Sequence, residues 1–149
     1  GEREFLQRLK CSGGDGYIIP GLPIEEAVNL HSMSKDFDLD PIILMTQTTS
    51  EERLKKLGRS CSGMVYAVAR KGVTGSKTIM DDSIESLISR CRKYTDVPLG
   101  VGFGISNRAD LDFLKGKADV AIIGTAALKA WEDSKQAGYR QFFESLQLS

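Results

Sequence analysis

The sequence predicts an α/β fold in which five parallel strands alternate with helices. Three observations predict it. Short apolar runs begin near residues 17, 41, 64, 97 and 119 of the 149-residue chain, and helical stripes fill most of the intervals. The runs are apolar throughout rather than alternating, as in parallel strands covered on both faces. Glycine-bearing turns follow the third, fourth and fifth runs: Gly72-Val73-Thr74-Gly75, Gly102-Phe103-Gly104 and Gly124-Thr125-Ala126. Turns of this kind expose backbone N–H groups beside a helix N-terminus, a combination that favours a phosphate.

The elements follow in order. Residues 2–10 put Phe5, Leu6 and Leu9 on one helical face, and Ser12-Gly13-Gly14 ends that helix. Tyr17-Ile18-Ile19 reads as a short buried strand closed by Pro20-Gly21-Leu22-Pro23. Ile24, Ala27, Val28 and His31 recur at i, i+3, i+4 and i+7, so the single histidine falls at the end of an apolar face, a packed or boundary position rather than a catalytic one. Asp40-Pro41 leads into the strand Ile42-Ile43-Leu44-Met45. Thr49 with Glu52 reads as a capping box, Lys55 and Lys56 as the solvated face of that helix, and Gly58 as its end. Residues 64–69 form a third strand, and Arg70 to Lys77 a polar, glycine-bearing loop.

Asp82 with Glu85 caps the next helix, whose Ile84, Leu87, Ile88 and Cys91 face a core; Asp81 and Asp82 read as dipole partner and cap, not as an acid–base pair. Residues 97–101 make the fourth strand, and Ser106 caps a helix with Leu111 and Leu114 inward. Residues 119–123 make the fifth strand. Gly124-Thr125 opens a short helix carrying Leu128 and Trp131, and Tyr139 to Leu146 is a final helix.

Composition narrows the function classes. Lys plus Arg and Asp plus Glu are both 20, so no charge imbalance calls for nucleic acid or an acidic membrane surface. One histidine excludes a histidine-cluster metal site. Cys11, Cys61 and Cys91 have no metal-like spacing and read as reduced, buried or inert thiols. No run is apolar and long enough to cross a membrane. The length fits one domain, residues 1–149, and the opening Gly1-Glu2-Arg3, without Met or a signal-peptide pattern, points to a trimmed tag or a fragment.

Five units fit two architectures: an open doubly wound, flavodoxin-like sheet, or the C-terminal part of a (β/α)8 TIM barrel. Barrels commonly build a phosphate site from the loops after the last two strands and the N-terminus of a short extra helix. Gly104, Gly124 and the short helix at Thr125 match that arrangement, which favours the partial barrel.

With these residues in place, the chain resembles the α subunit family of tryptophan synthase. The resemblance runs through Asp15-Gly16-Tyr17-Ile18-Ile19-Pro20-Gly21-Leu22-Pro23 with Glu25-Glu26, Thr48-Thr49-Ser50-Glu51-Glu52-Arg53, residues 63–66, Gly72-Val73-Thr74-Gly75, Gly102-Phe103-Gly104-Ile105-Ser106 and Gly124-Thr125-Ala126. It implies a lyase of tryptophan biosynthesis that cleaves indole-3-glycerol phosphate to indole and glyceraldehyde-3-phosphate and passes indole to a β subunit carrying pyridoxal phosphate. This chain would supply the fourth to eighth strands. By position, Gly75, Gly104, Gly124 and Thr125 would cradle the substrate phosphate (or a sulfate), Thr125 standing where the family usually has Ser. Arg70 and Thr74 would lie on the closing loop, and Tyr66, Phe103 and Ile122 would line the pocket. No cofactor or metal of its own is implied, and the expected location is the cytoplasm, or the plastid stroma in a plant.

Two departures accompany the resemblance. The family's catalytic Glu and Asp lie after the second strand or in the loop that follows it, so this chain would keep the phosphate half of the site and lack the acid–base half. Gly21 stands where the family has an Asp facing the partner subunit and the closing loop. A catalytically silent homologue that binds a phosphorylated ligand or activates a β subunit is therefore the alternative. Other phosphate-binding barrels, such as indole-glycerol-phosphate synthase or sugar-phosphate epimerase relatives, need Lys or metal ligands not found here. Five strands leave two open edges, so the sequence also predicts self-association.

Overall fold

The computed structural model describes residues 1–69, 81–102 and 104–146. Its elements are α1 (Glu2–Cys11), β1 (Gly16–Tyr17), α2 (Ile24–Ser34), a 3-10 turn (Lys35–Phe37), β2 (Asp40–Thr46), α3 (Glu51–Ser60), β3 (Met64–Val68), α4 (Asp82–Arg92), β4 (Leu99–Gly102), α5 (Arg108–Leu114), β5 (Val120–Ile122) and α6 (Thr125–Ser145). All four strand pairings are parallel and the spatial order is β1-β2-β3-β4-β5. A doubly wound sheet reverses its strand order at a switch point. This sheet never does: the five strands form a half-barrel.

One face of the sheet carries the main core. Ile43, Met45, Val65, Ala67, Leu99 and Val101 pack with Leu54 and Leu57 of α3, Ile84, Leu87, Ile88 and Cys91 of α4, and Leu114 of α5. A smaller cluster of Leu6, Tyr17, Leu30 and Leu39 joins α1, β1 and α2. The Tyr17 ring meets Phe5 edge-on at 5.8 Å, and the His31 ring lies 6.2 Å from it. His31 is half-buried, and burial holds its pKa below the usual imidazole value. Cys91 is buried and Cys61 half-buried, burial pushing both thiols up to about 11, whereas Cys11 is exposed.

Several boundaries differ from the sequence reading. The first strand is only Gly16–Tyr17, and Ile18 and Ile19 are exposed past its end instead of forming a buried strand. On α2 the buried stripe is Ile24, Ala27 and Leu30, while Val28 faces solvent. Three caps sit one residue away from their expected positions. Ser50, not Thr49, accepts the Arg53 N–H; Asp81, not Asp82, accepts the Ser83 N–H; and Asn107, not Ser106, accepts the Asp110 N–H. Thr49 instead takes the Thr46 N–H on its hydroxyl and shapes the turn after β2. Gly58 does not end α3, which continues to Ser60; a Cβ there would fall on the Tyr94 carbonyl oxygen, so glycine lets the helix pass the end of α4. The fourth strand takes in Gly102, and the fifth begins at Val120; just before it, the Asp119 carboxylate accepts the Leu99 N–H at 2.7 Å and pairs with Arg92.

Non-helical backbone at Ser134 and Lys135 breaks α6, so a short helix from Thr125 precedes the final one, as expected. Leu128, Trp131, Tyr139 and Phe143 along it are exposed. Among the described residues, no helix is long and apolar enough to cross a membrane.

Candidate functional site

In a strand, alternate side chains point to opposite faces, and parallel register partners share a face. The core-facing set is Ile43, Met45, Val65, Ala67, Leu99 and Val101. The other, concave face is therefore built from Ile42, Leu44 and Thr46, from Met64, Tyr66 and Val68, and from Gly100, Gly102, Val120 and Ile122, through the pairs Leu44↔Tyr66, Tyr66↔Gly100 and Gly102↔Ile122. The side chains of this face remain partly or fully exposed.

Two glycines shape that face. A Cβ on Gly102 would overlap the Tyr66 phenol, and one on Gly100 would lie 2.9 Å from Ile122 Cδ1 and 3.0 Å from Met64 Sδ. Tyr66 and Ile122 thus close over the β4 backbone from its two neighbours. Burial raises the Tyr66 pKa above the usual phenol value, so the group is neutral at neutral pH. The structure brings Tyr66 and Ile122 onto one apolar wall. Phe103, the third expected wall residue, lies outside the described residues, as do Arg70, Thr74 and Gly75.

The rim of the wall is formed by the turns at the strands' C-terminal ends. Gly104 and Gly124 each follow by two residues the last register pair of β4 and β5, Gly102↔Ile122, so both turns leave the same end of the sheet. Gly104 has φ +87°, a left-handed conformation suited to glycine. The helix after it supplies fewer donors than its position promises. Asp110 Oδ2 accepts the N–H of Ser106 at 2.8 Å and of Asn107 at 3.2 Å, so the α5 N-terminus is satisfied by its own carboxylate.

The start of α6 is different. Gly124 occupies the N-cap without a side-chain cap, and no acidic residue lies in the first turn. By contrast, α3, α4 and α5 are capped by Ser50, Asp81 and Asn107 and carry acids in their first turns. Helix N-termini leave backbone N–H groups unpaired and partly positive. The α6 cap and first turn carry no carboxylate of their own, and among the described residues a Cβ built on Gly124 meets no atom within 4 Å.

At the other side of the rim, Arg90 of α4 holds the turn after β2. It donates to the carbonyl oxygens of Gln47 (3.0 Å) and Thr49 and to Glu51 Oε1 (2.7 Å), while the Tyr94 hydroxyl donates to Glu51 Oε2. The Arg90 and Tyr94 bonds pull the Glu51 carboxyl down to about 2. Arg90→Met should cost about 2 kcal/mol through the two carbonyls left without their charged donor. Because the Glu51 pKa is depressed, its contribution is complete above about pH 4.5 and is lost as pH falls through about 2. Thermal melts should therefore show the gap between wild type and variant narrowing over that window; a gap independent of pH would contradict the role given to Glu51.

Three contributors to this region escape a sequence reading. Thr46 and Met64 belong to the concave face, and the Gln47 side chain bridges the rim. Period-two alternation within residues 42–46 was the available signal for Thr46, but a uniformly apolar run obscures it.

A family model described as tryptophan synthase alpha chain matches residues 1–148. The tryptophan synthase alpha chain of Desulfotalea psychrophila is 38% identical over 146 residues, covering 98% of this chain and 58% of the relative. That of Methanocaldococcus jannaschii is 42% identical over 132 residues, 89% of this chain and 47% of the relative. The chain thus spans about half the length of these curated relatives. Among solved structures, the tryptophan synthase a2b2 complex of Pyrococcus furiosus contains a chain that matches with a TM-score of 0.85 at 28% identity, covering 98% of this chain and 60% of that one. Mycobacterium tuberculosis tryptophan synthase matches with a TM-score of 0.86 at 31% identity, covering 98% and 55%.

Proposed function

Because the chain belongs to the tryptophan synthase alpha chain family, we propose that it is the phosphate-binding portion of a lyase of tryptophan biosynthesis acting on indole-3-glycerol phosphate. Gly104, Gly124 and Thr125 cradle the phosphate with backbone N–H groups, together with Gly75. Tyr66 and Ile122, with Phe103, wall the indole and glycerol moieties; Arg70 and Thr74 belong to the segment that closes the site. The observation that carries the reading is the α6 N-terminus, uncapped and free of acids beside the glycine turn that follows β4. Isothermal calorimetry with glycerol phosphate tests it. Gly124→Asp sets a carboxylate against the anion, at a cost of about 3 kcal/mol or more, and binding should fall by at least about a hundredfold. Equal affinity in the variant would remove Gly124 and Thr125 from the site.

The proposed macromolecular partner is a tryptophan synthase β subunit, by analogy with the complex from Pyrococcus furiosus. The alternative of a silent, phosphate-binding or β-activating homologue draws on Gly21. This residue has φ +83° in the exposed turn after Pro20, a conformation that glycine adopts without strain and that disfavours an aspartate.

Self-association is proposed on the same footing. Among the described residues, edge strands β1 and β5 have one neighbour each, the concave wall is only partly covered, and α6 exposes Leu128, Trp131, Tyr139 and Phe143. Burial of apolar surface is worth roughly 25 cal/mol per Å², so several hundred Å² of such surface favours a dimer or larger assembly. Light scattering over a concentration series should show mass rising into the micromolar range; a constant monomer mass would count against it.

A further inference from the structure

Gln47 is the first residue past β2, and the register Thr46↔Val68 would place Ala69 opposite it on the next rung. The ladder does not continue through the backbone, because β2 turns away: the Thr49 N–H bonds to the Thr46 carbonyl at 3.1 Å. The Gln47 carboxamide supplies the missing donor. Its Nε2 donates to the Ala69 carbonyl at 3.1 Å and to Ser83 Oγ at 3.0 Å. Ser83 Oγ in turn donates to Asp81 Oδ1 at 2.6 Å, the carboxylate that caps α4. On its other side, the Ala69 N–H donates to the Gly102 carbonyl at 3.2 Å. Arg90 fixes the Gln47 backbone at 3.0 Å. A continuous hydrogen-bonded line therefore crosses the rim from Gln47 through Ala69 to Gly102, where the turn carrying Gly104 begins.

We propose that Gln47 is a positioning residue, acting through Ala69 and Gly102 to hold the turn that places Gly104. The proposal rests on the phosphate reading for its functional consequence, but the positioning itself is measurable without a ligand. A primary amide carries two N–H donors, and both are used here on two different elements. Gln47→Met keeps the length and removes both donors. Ser83→Ala removes one acceptor and leaves the bond to Ala69 in place.

Hydrogen exchange in the chain as it stands, followed amide by amide, is the first readout. Gln47→Met should speed exchange at Ala69, whose N–H is bonded to the Gly102 carbonyl, roughly fivefold, the size of one neutral hydrogen bond; Ser83→Ala should speed it less. The second readout is the glycerol phosphate Kd, which should rise by a similar factor in Gln47→Met while circular dichroism shows the fold intact. Unchanged exchange at Ala69 in Gln47→Met overturns the proposal, whether or not glycerol phosphate binds. Faster exchange at Ala69 with an unchanged Kd overturns the functional role. Absence of glycerol phosphate binding in the wild type, with the exchange effect present, overturns the phosphate reading and leaves the positioning standing.

Discussion

Incubated alone with indole-3-glycerol phosphate, the chain is expected to release indole at least about 10⁴-fold more slowly than an alpha-type lyase with both catalytic carboxylates, since each general acid or base typically contributes about 10²–10⁴-fold. The proposed carbon–carbon cleavage would have to move one proton off the glycerol hydroxyl and another onto the indole ring. The side chains assigned to the concave wall are Ile42, Leu44, Thr46, Met64, Tyr66, Val68, Val120 and Ile122, and none of these is a carboxylate or an imidazole. Tyr66, whose pKa is raised by burial, is a poor base at neutral pH. Grip on the phosphate lowers the energy of substrate and transition state alike and leaves the barrier unchanged. A continuous indole assay on chain purified from a host without its own enzyme makes the measurement; turnover at an ordinary enzymatic rate would show that the acid–base groups are present after all.

Gly102→Val is expected to destabilise the chain by about 3 kcal/mol, at the upper end of the usual cost of overpacking. The new side chain has nowhere to go: a Cβ at this position already overlaps the Tyr66 ring, with Tyr66 Cε1 only 2.7 Å away. Removing the hydroxyl alone, as in Tyr66→Phe, brings no relief, because ring carbons are also too close. Tyr66→Ala does bring relief, so the double variant should recover about 1–2 kcal/mol relative to the sum of the singles. Spectrophotometric titration supplies a second check. If valine drives the ring outward, the Tyr66 pKa should fall back toward the ordinary phenol value. An unshifted titration combined with additive destabilisation would mean that Gly102 and Tyr66 are not coupled.

The strand and helix succession was readable because each helix carries its apolar residues at helical spacing and each strand is a compact apolar run. The sheet's curvature was readable only indirectly, through the glycine turns, since a singly wound and a doubly wound sheet can share one βα sequence pattern. The caps were misplaced by one residue for a definite reason. Thr49 and Ser50, Asp81 and Asp82, and Ser106 and Asn107 are neighbours of which both can accept a backbone N–H. The choice between them depends on where the preceding turn ends, and for Thr49 that is decided by its bond to the Thr46 N–H. Ile18 and Ile19 look like strand by composition, but the pairing with β2 stops at Tyr17↔Pro41 and leaves them exposed. Of the expected phosphate turns, those carrying Gly104 and Gly124 follow the paired ends of β4 and β5, whereas the donors expected near Ser106 are spent on Asp110. That loss needed the three-dimensional position of a carboxylate four residues away.

The unbroken order of the five strands also makes the molecule a one-dimensional array. Among the described residues, each strand is bonded only to its sequence neighbours, as repeats are in a solenoid. Cohesion is then a sum of nearest-neighbour terms, strongest in the middle, where β2 has seven residues and β3 five, and weakest at the ends, where β1 has two and β5 three. Such an array loosens from its termini inward, one unit at a time, and units can be removed or appended at an end without rewiring the remainder. Modular growth and truncation are thereby built into its topology.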